Sequence, residues 1–242
     1  MPPARRERRG IRGKSGRGLI TMSRLLSPMT TSLSLAALYS VVPAHAACAL
    51  NVELLRIGGQ CARIKYDVHG ADQQMKHLRA LERQAAQLVR RHPGRARPLL
   101  WQGVIASEEA AKAGLLHKLD HASKARRLLD EAKAINPNAA HGGVWLSLGV
   151  LCYRVPGFPI GFGNDSKGNA CLRHALALDP DGLDGKYFHG DFLFEQGRYV
   201  RARAVLEHGL NAPVDPQRPI RDKSRRPEIR ALTANIARKE SE

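Results

Sequence analysis

Aromatic side chains are scarce: five Phe, five Tyr and two Trp make up 5% of the 242 residues. A β-sandwich needs such bulk, with β-branched partners, on its inner faces. The apolar fraction here, 43%, is carried mostly by Ala and Leu, which favour helix. Cysteine is sparse too. Cys48, Cys61, Cys152 and Cys171 form no C-x-x-C and no pair with zinc-ligand spacing, so thiol–disulfide catalysis and a zinc site are not expected. There is no G-x-S-x-G, no phosphate-binding loop and no dinucleotide fingerprint. Without a convergent acid and base, the chain does not read as an enzyme, and neither cofactor nor metal is expected. His117 and His121 have the i, i+4 spacing of a metal pair, but Lys118 replaces the Glu a zincin needs and Asp120 is a methylene too short for the inverted motif. His174, His189 and Asp191 can form at most a small polar cluster.

Nor is there a run long enough to span a bilayer. The most apolar stretch, residues 33–42, is short and broken by Ser. It is followed by Ala44-His45-Ala46, which fits a signal-peptidase site with cleavage after Ala46. The formal charge of +17 divides accordingly. Residues 1–46 hold eight Lys/Arg and one acid, which leaves +10 on the remainder. The expectation is a signal peptide with a basic extension over 1–46, and a periplasmic protein. The extension reads as a long leader or as sequence upstream of a start at Met22; the twin arginines at Arg5-Arg6 and Arg8-Arg9 lie too far from the apolar run for a twin-arginine signal. Ala46-Ala47-Cys48 offers the alternative of a lipoprotein anchored to the inner or outer membrane through Cys48, against which stands His45 where an aliphatic residue belongs. An even cysteine count in an exported chain suggests disulfides, and short loops favour Cys48–Cys61 and Cys152–Cys171. Nucleic acid is not an expected partner: RYVRARAV and RDKSRRPEIR carry between them a single aromatic, Tyr199, and read as a solvated basic face.

After a 47–71 segment, the body repeats. LERQAAQLVRRHP, ARRLLDEAKAINP and GNACLRHALALDP each end in Pro. Twelve, eight and five residues earlier stand Leu81, Ala85, Leu88; Ala125, Leu129, Ala132; and Gly168, Leu172, Ala175. These offsets place small and apolar side chains on one helix face, and Pro stops the helix. Gly103, Gly149 and Gly190 occupy a matching slot on the preceding helices. This resembles the tetratricopeptide repeat, a helix–turn–helix unit of 34 residues. The expected fold is all-α: tetratricopeptide-like hairpins over 72–242 forming a short α-solenoid, with repeats at about 96–139, 142–181 and 182–215 and a closing helix at 227–239. The third unit fits without a gap. The second carries seven extra residues, and the first about ten.

The extra residues of the second unit lie in YRVPGFPIGFGND. Pro156 and Pro159 forbid helix, and Phe158, Ile160 and Phe162 carry apolar weight at a period of two. Such a loop is expected to fold back over a groove or against a neighbouring subunit, or to plug the end of the stack, with Phe158, Phe162 and Asp165 its candidate functional residues. This stretch, with YFHGDFLFEQGRY and APVDPQRPIRDKSRRPEIRAL, resembles the T-component family of tripartite ATP-independent periplasmic (TRAP) transporters over residues 95–235. The resemblance implies a protein partner, the transporter's solute-binding protein, and a symmetric homo-oligomer with a ligand-conducting pore. A cell-envelope assembly adaptor is the alternative function. In repeats of this kind the first helix of each hairpin lines a concave groove. The expected groove residues are Arg97, Leu100 and Val104; Leu146, Val150, Tyr153 and Arg154; and Tyr187, Asp191, Phe194 and Glu195.

Overall fold

The structure is a computed structural model that describes residues 44–242. Among these residues the chain forms α1 (Ala44–Asp67), α2 (Ala71–Arg91), α3 (Ala96–Lys112), α4 (Leu115–Ile135), α5 (Ala139–Arg154), α6 (Asp165–Leu178), α7 (Leu183–Glu195), α8 (Tyr199–Leu210) and α9 (Pro219–Ser241). The expected signal segment lies outside the described residues up to position 43, and its cleavage point falls in the first turn of α1.

The repeat periodicity becomes packing. Every residue of the three offset sets is buried, as are Ala202, Leu206 and Gly209 in α8. Within each hairpin one glycine of the first helix faces one leucine of the second. A Cβ added at Gly103 would stand 2.8 Å from Leu129 Cγ, at Gly149 2.9 Å from Leu172 Cγ, and at Gly190 2.5 Å from Leu206 Cγ. The missing side chain lets the two backbones close up, and the fully buried leucine fills the space. Apolar clusters run from α1–α3 through α3–α5 to α5–α9 without a break.

The two irregular units take up their extra residues differently. In the first unit they become additional helical turns, so α3 and α4 run 17 and 21 residues against 13 and 12 for α7 and α8. In the second they form the loop 155–164. The closing helix begins eight residues earlier than expected, at Pro219, with Pro227 inside it rather than at its first turn. Pro219 carries the role foreseen for Pro227, since a missing N–H costs nothing in a helix's first turn. The helices form two layers. α1, α3, α5, α7 and α9 make the inner one, each touching the next, and α2, α4, α6 and α8 the outer. α1 also touches α9, where Tyr66 Oη donates to Glu228 Oε2 at 3.3 Å, so the inner arc closes on itself.

Candidate binding cavity

The closed inner layer surrounds a cavity of about 1140 Å³. One wall is apolar: Leu54 from α1, Leu100 and Val104 from α3, Leu146 and Val150 from α5, and Phe188 from α7. Another part of the lining, from the start of α9 and the segment before it, is charged through Arg218, Arg221 and Arg225 around Asp184 of α7. Arg97 adds a half-buried guanidinium that donates to Asn51 and has no carboxylate partner among the described residues. Burial pulls its pKa down. The combination is a concave apolar surface with a few directed polar groups, which is the composition of a ligand- or peptide-binding cavity.

Asp184 organises the charged wall. Arg225 Nε reaches its Oδ1 at 3.0 Å, Arg218 Nη2 its Oδ2 at 3.0 Å, and Arg221 Nη1 the same oxygen at 3.6 Å. Burial pushes the Asp184 carboxyl up, but the three guanidinium groups outweigh it and hold the pKa well below the ordinary carboxylate range. Arg225 is buried as deeply. Its guanidinium lies 4.2 Å from the Tyr187 ring centre and 4.8 Å from that of Phe188, and it also pairs with Glu228 at 2.5 Å. Arg221 pairs with Asp222, which accepts from the Asp215 amide at 2.9 Å. The expectation of a solvated basic face is therefore corrected: RDKSRRPEIR turns Asp222 and Arg225 into the protein, with only 3% and 5% of their surfaces exposed. The signal was in the spacing. Arg218, Arg221/Asp222 and Arg225 recur at three and four residues, one helix face.

The expected groove residues fall into two groups. Arg97, Leu100, Val104, Leu146 and Val150 all line the cavity. Tyr153, Arg154, Asp191 and Glu195 instead tie α5 to α7. Tyr153 Oη donates to Asp191 Oδ2 at 2.6 Å, and Arg154 pairs with Asp191 and, at 2.7 Å, with Glu195. Tyr187 is covered by Arg225, and Phe194 packs on Tyr199 with ring centres 5.6 Å apart. In the third repeat Asp184 and Phe188 face the cavity instead, because α9 packs against the face that Tyr187 shares. The α1 contribution was missed, since residues 47–71 carry no repeat signature.

The cysteine pairings need one outright correction. Cys48 and Cys61 lie on one helix, thirteen residues apart, which separates them by about 20 Å and excludes a bond. All four cysteines are free thiols; Cys61 is buried, and burial pushes its pKa up to about 12. Cys152 and Cys171 sit on the paired helices α5 and α6, half-buried, with both pKa values raised first by burial. The histidines do not converge. His117 Nδ1 lies 3.8 Å from Asp120 at the surface, whereas His121 Nδ1 lies 3.1 Å from the buried Glu109. His189 Nε2 is 3.3 Å from Asn169 Oδ1, and the His174 ring packs tilted against Trp145 with ring centres 4.5 Å apart. In the insert the period-two trio splits. Phe162 packs against the core beneath Arg126, whose guanidinium is 4.7 Å away, while Phe158 and Ile160 point outward. The loop thus does not fold back over the cavity. Asp165 accepts from Gln196 Nε2 at 2.9 Å.

No family model matches the chain, and no curated protein matches it. Solved structures do. A thermophilic TPR protein of Thermus thermophilus superposes with a TM-score of 0.51 at 16% identity, over 77% of this chain and 98% of that one. MamA is similar with a TM-score of 0.42 at 14% identity, over 72% of this chain and 96% of that one. Yeast Tom70 is similar with a TM-score of 0.43 at 13% identity, over 82% of this chain and 45% of that one. Together with the repeated glycine–leucine hairpins, the first of these likenesses establishes the fold as an all-α helical-repeat solenoid of the tetratricopeptide type.

Proposed function

We propose that this protein is an exported binding scaffold, an accessory component of a TRAP-type solute uptake system, and that it holds a segment of its protein partner in the cavity of the inner helices. The observation that carries the binding role is the cavity itself, about 1140 Å³ in volume, lined by apolar side chains and by arginines. Buried apolar anchors and directed charges suit a peptide segment. Export is supported by the order of basic stretch, apolar run and Ala-x-Ala site, and the uptake role by the resemblance of residues 95–235.

The test is affinity capture from periplasm with the protein and a Leu146→Glu variant, which puts a carboxylate on the apolar wall. Recovery of a periplasmic solute-binding protein by the parent, reduced at least about tenfold by the variant, is expected. Envelope-assembly proteins in its place would replace the uptake role with the adaptor role. Equal capture by both proteins would remove the cavity as the binding site.

Export has a separate consequence. In an oxidising compartment the expected pair is Cys152 and Cys171, which lie on the packed helices α5 and α6. Protein isolated from the periplasm should have an intact mass lower by two hydrogens than after reduction, and Cys152→Ser should abolish the difference. Four free thiols in the isolated protein would argue against export.

A further inference from the structure

The turns that lead from each inner helix to its outer partner lie along one edge of the solenoid. Leu119 at the start of α4 packs beside Gly161 of the insert, and Gln196 at the end of α7 bonds to Asp165 at the start of α6. The most exposed large apolar side chains among the described residues all sit on this edge: Phe158 at 95%, Leu116 at 87%, Val200 at 76% and Ile160 at 69%. The insert is built to hold its tip outward. Gly163 N donates to Pro156 O at 2.8 Å, Gly161 N to Gly157 O at 3.0 Å, and Asn164 N to Cys152 O at 2.7 Å. A Cβ at Gly163 would overlap the Val155 carbonyl oxygen, so the two strands of the loop meet with no side chain between them. With Phe162 anchored below, Phe158 and Ile160 cannot collapse onto the core.

The charge on this edge is net positive. Residues 67–71, 112–120, 154–167 and 195–201 hold six Lys/Arg (Lys112, Lys118, Arg154, Lys167, Arg198, Arg201) against Asp67, Asp120, Asp165 and Glu195. On the opposite edge, residues 91–95, 135–141, 179–184 and 211–218 hold Arg91, Arg95 and Arg218 against Asp179, Asp181, Asp184 and Asp215. Apolar side chains on convex tips, ringed by basic ones, match the layered chemistry of an anionic bilayer surface, in which acyl chains lie beneath acidic headgroups. They do not form the concave pocket that anchors a protein partner. No described helix is long and apolar enough to cross a membrane, and contact of this kind needs none. We propose that this edge is a membrane-docking face, which inserts Phe158, Ile160 and Leu116 into the interface of an anionic lipid bilayer while Lys118, Lys167, Arg198 and Arg201 meet its headgroups.

The test is flotation of the full chain with vesicles of phosphatidylcholine alone and of phosphatidylcholine and phosphatidylglycerol in equal parts. Three proteins are compared: the parent, a Phe158→Asp/Ile160→Asp variant, and Val214→Asp, which adds a carboxylate on the opposite edge. The basic residues of 1–46 are common to all three, so their own attraction to anionic lipid does not alter the comparison. The parent and Val214→Asp should float with the mixed vesicles and less with phosphatidylcholine alone, and the double variant should lose about tenfold or more in bound fraction. Phe158→Trp gives an independent reading: brominated lipid should quench the introduced indole on vesicle binding. The proposal is overturned if the parent does not bind mixed vesicles, if the double variant binds like the parent, if Val214→Asp is weakened as much as the double variant, or if brominated lipid leaves the indole introduced by Phe158→Trp unquenched.

Discussion

Asp184→Asn should cost about 3–5 kcal/mol of stability at neutral pH, among the largest losses a single substitution can bring here. The side chain keeps its size, so packing is not at issue. What disappears is the negative charge that Arg218, Arg221 and Arg225 share, of which Arg225 is only 5% exposed. A buried guanidinium left short of counter-charge forfeits hydration without compensation. The pH dependence separates this account from simple loss of a hydrogen bond. The folded pKa of Asp184 lies below its unfolded value of about 3.9, so the unfolded chain takes up the proton first. Its stabilisation is therefore complete above about pH 4 and is lost as pH falls through the folded value. Urea midpoints of parent and variant should differ widely at pH 7 and converge below pH 4. A loss under about 1 kcal/mol, or a gap that stays constant with pH, would show that the arginines are satisfied without Asp184.

The position of this cluster explains why it matters beyond stability. Asp184 belongs to the third repeat and Arg225 to the closing helix, and their bond fixes α9 against α7. α9 in turn meets α1 and closes the inner layer. A solenoid of helical hairpins would otherwise be an open arc. Here the charged wall of the cavity and the clasp that closes it are the same residues, so loosening Asp184 should also impair whatever the cavity holds.

The repeat core was legible in the sequence because it rests on local spacing. Leu129, Leu172 and Leu206 stand at a fixed distance from Ala or Gly one turn earlier, and that distance survives any change in loop length. The cavity wall from α3 and α5 followed from the same register. What was not legible depended on contacts far apart in the chain. The pattern points to Tyr187 for the groove, and only the docking of α9 decides that Tyr187 is covered and Phe188 faces the cavity. α1 carries no repeat signature, so its closing role depends on contacts with α9 more than 150 residues away, such as Tyr66 to Glu228. The alternation of Phe158, Ile160 and Phe162 suggested one face, but the turn at Gly161 breaks the strand-like period and sends Phe162 inward. RDKSRRPEIR misled because composition reports charge, whereas burial depends on a partner, and Asp184 lies more than thirty residues upstream.

Gly190→Val and Leu206→Ala should each destabilise the protein, and together by less than their sum. A Cβ at Gly190 would stand 2.5 Å from Leu206 Cγ and 2.6 Å from its Cδ2, and Leu206 is fully buried with no space to retreat. Valine forces that overlap and adds two methyl groups, an overpacking that costs about 1–3 kcal/mol. Leu206→Ala leaves a hole in the α7–α8 hairpin and should cost about 2–5 kcal/mol. In the double variant the valine occupies part of the hole, so a double-mutant cycle should return a compensating coupling of about 1 kcal/mol or more. Gly59 in α1 provides the contrast. Nothing lies within 4 Å of a Cβ placed there, and Gly59→Ala should stabilise by about 0.5–1 kcal/mol through the smaller entropy loss of alanine on entering a helix. Opposite signs at Gly190 and Gly59 would establish that the repeat glycines are kept for close approach of the helices. Strict additivity at Gly190 and Leu206 would mean that the hairpin absorbs the valine by moving α7, and in that case the change should also alter the cavity wall at Phe188.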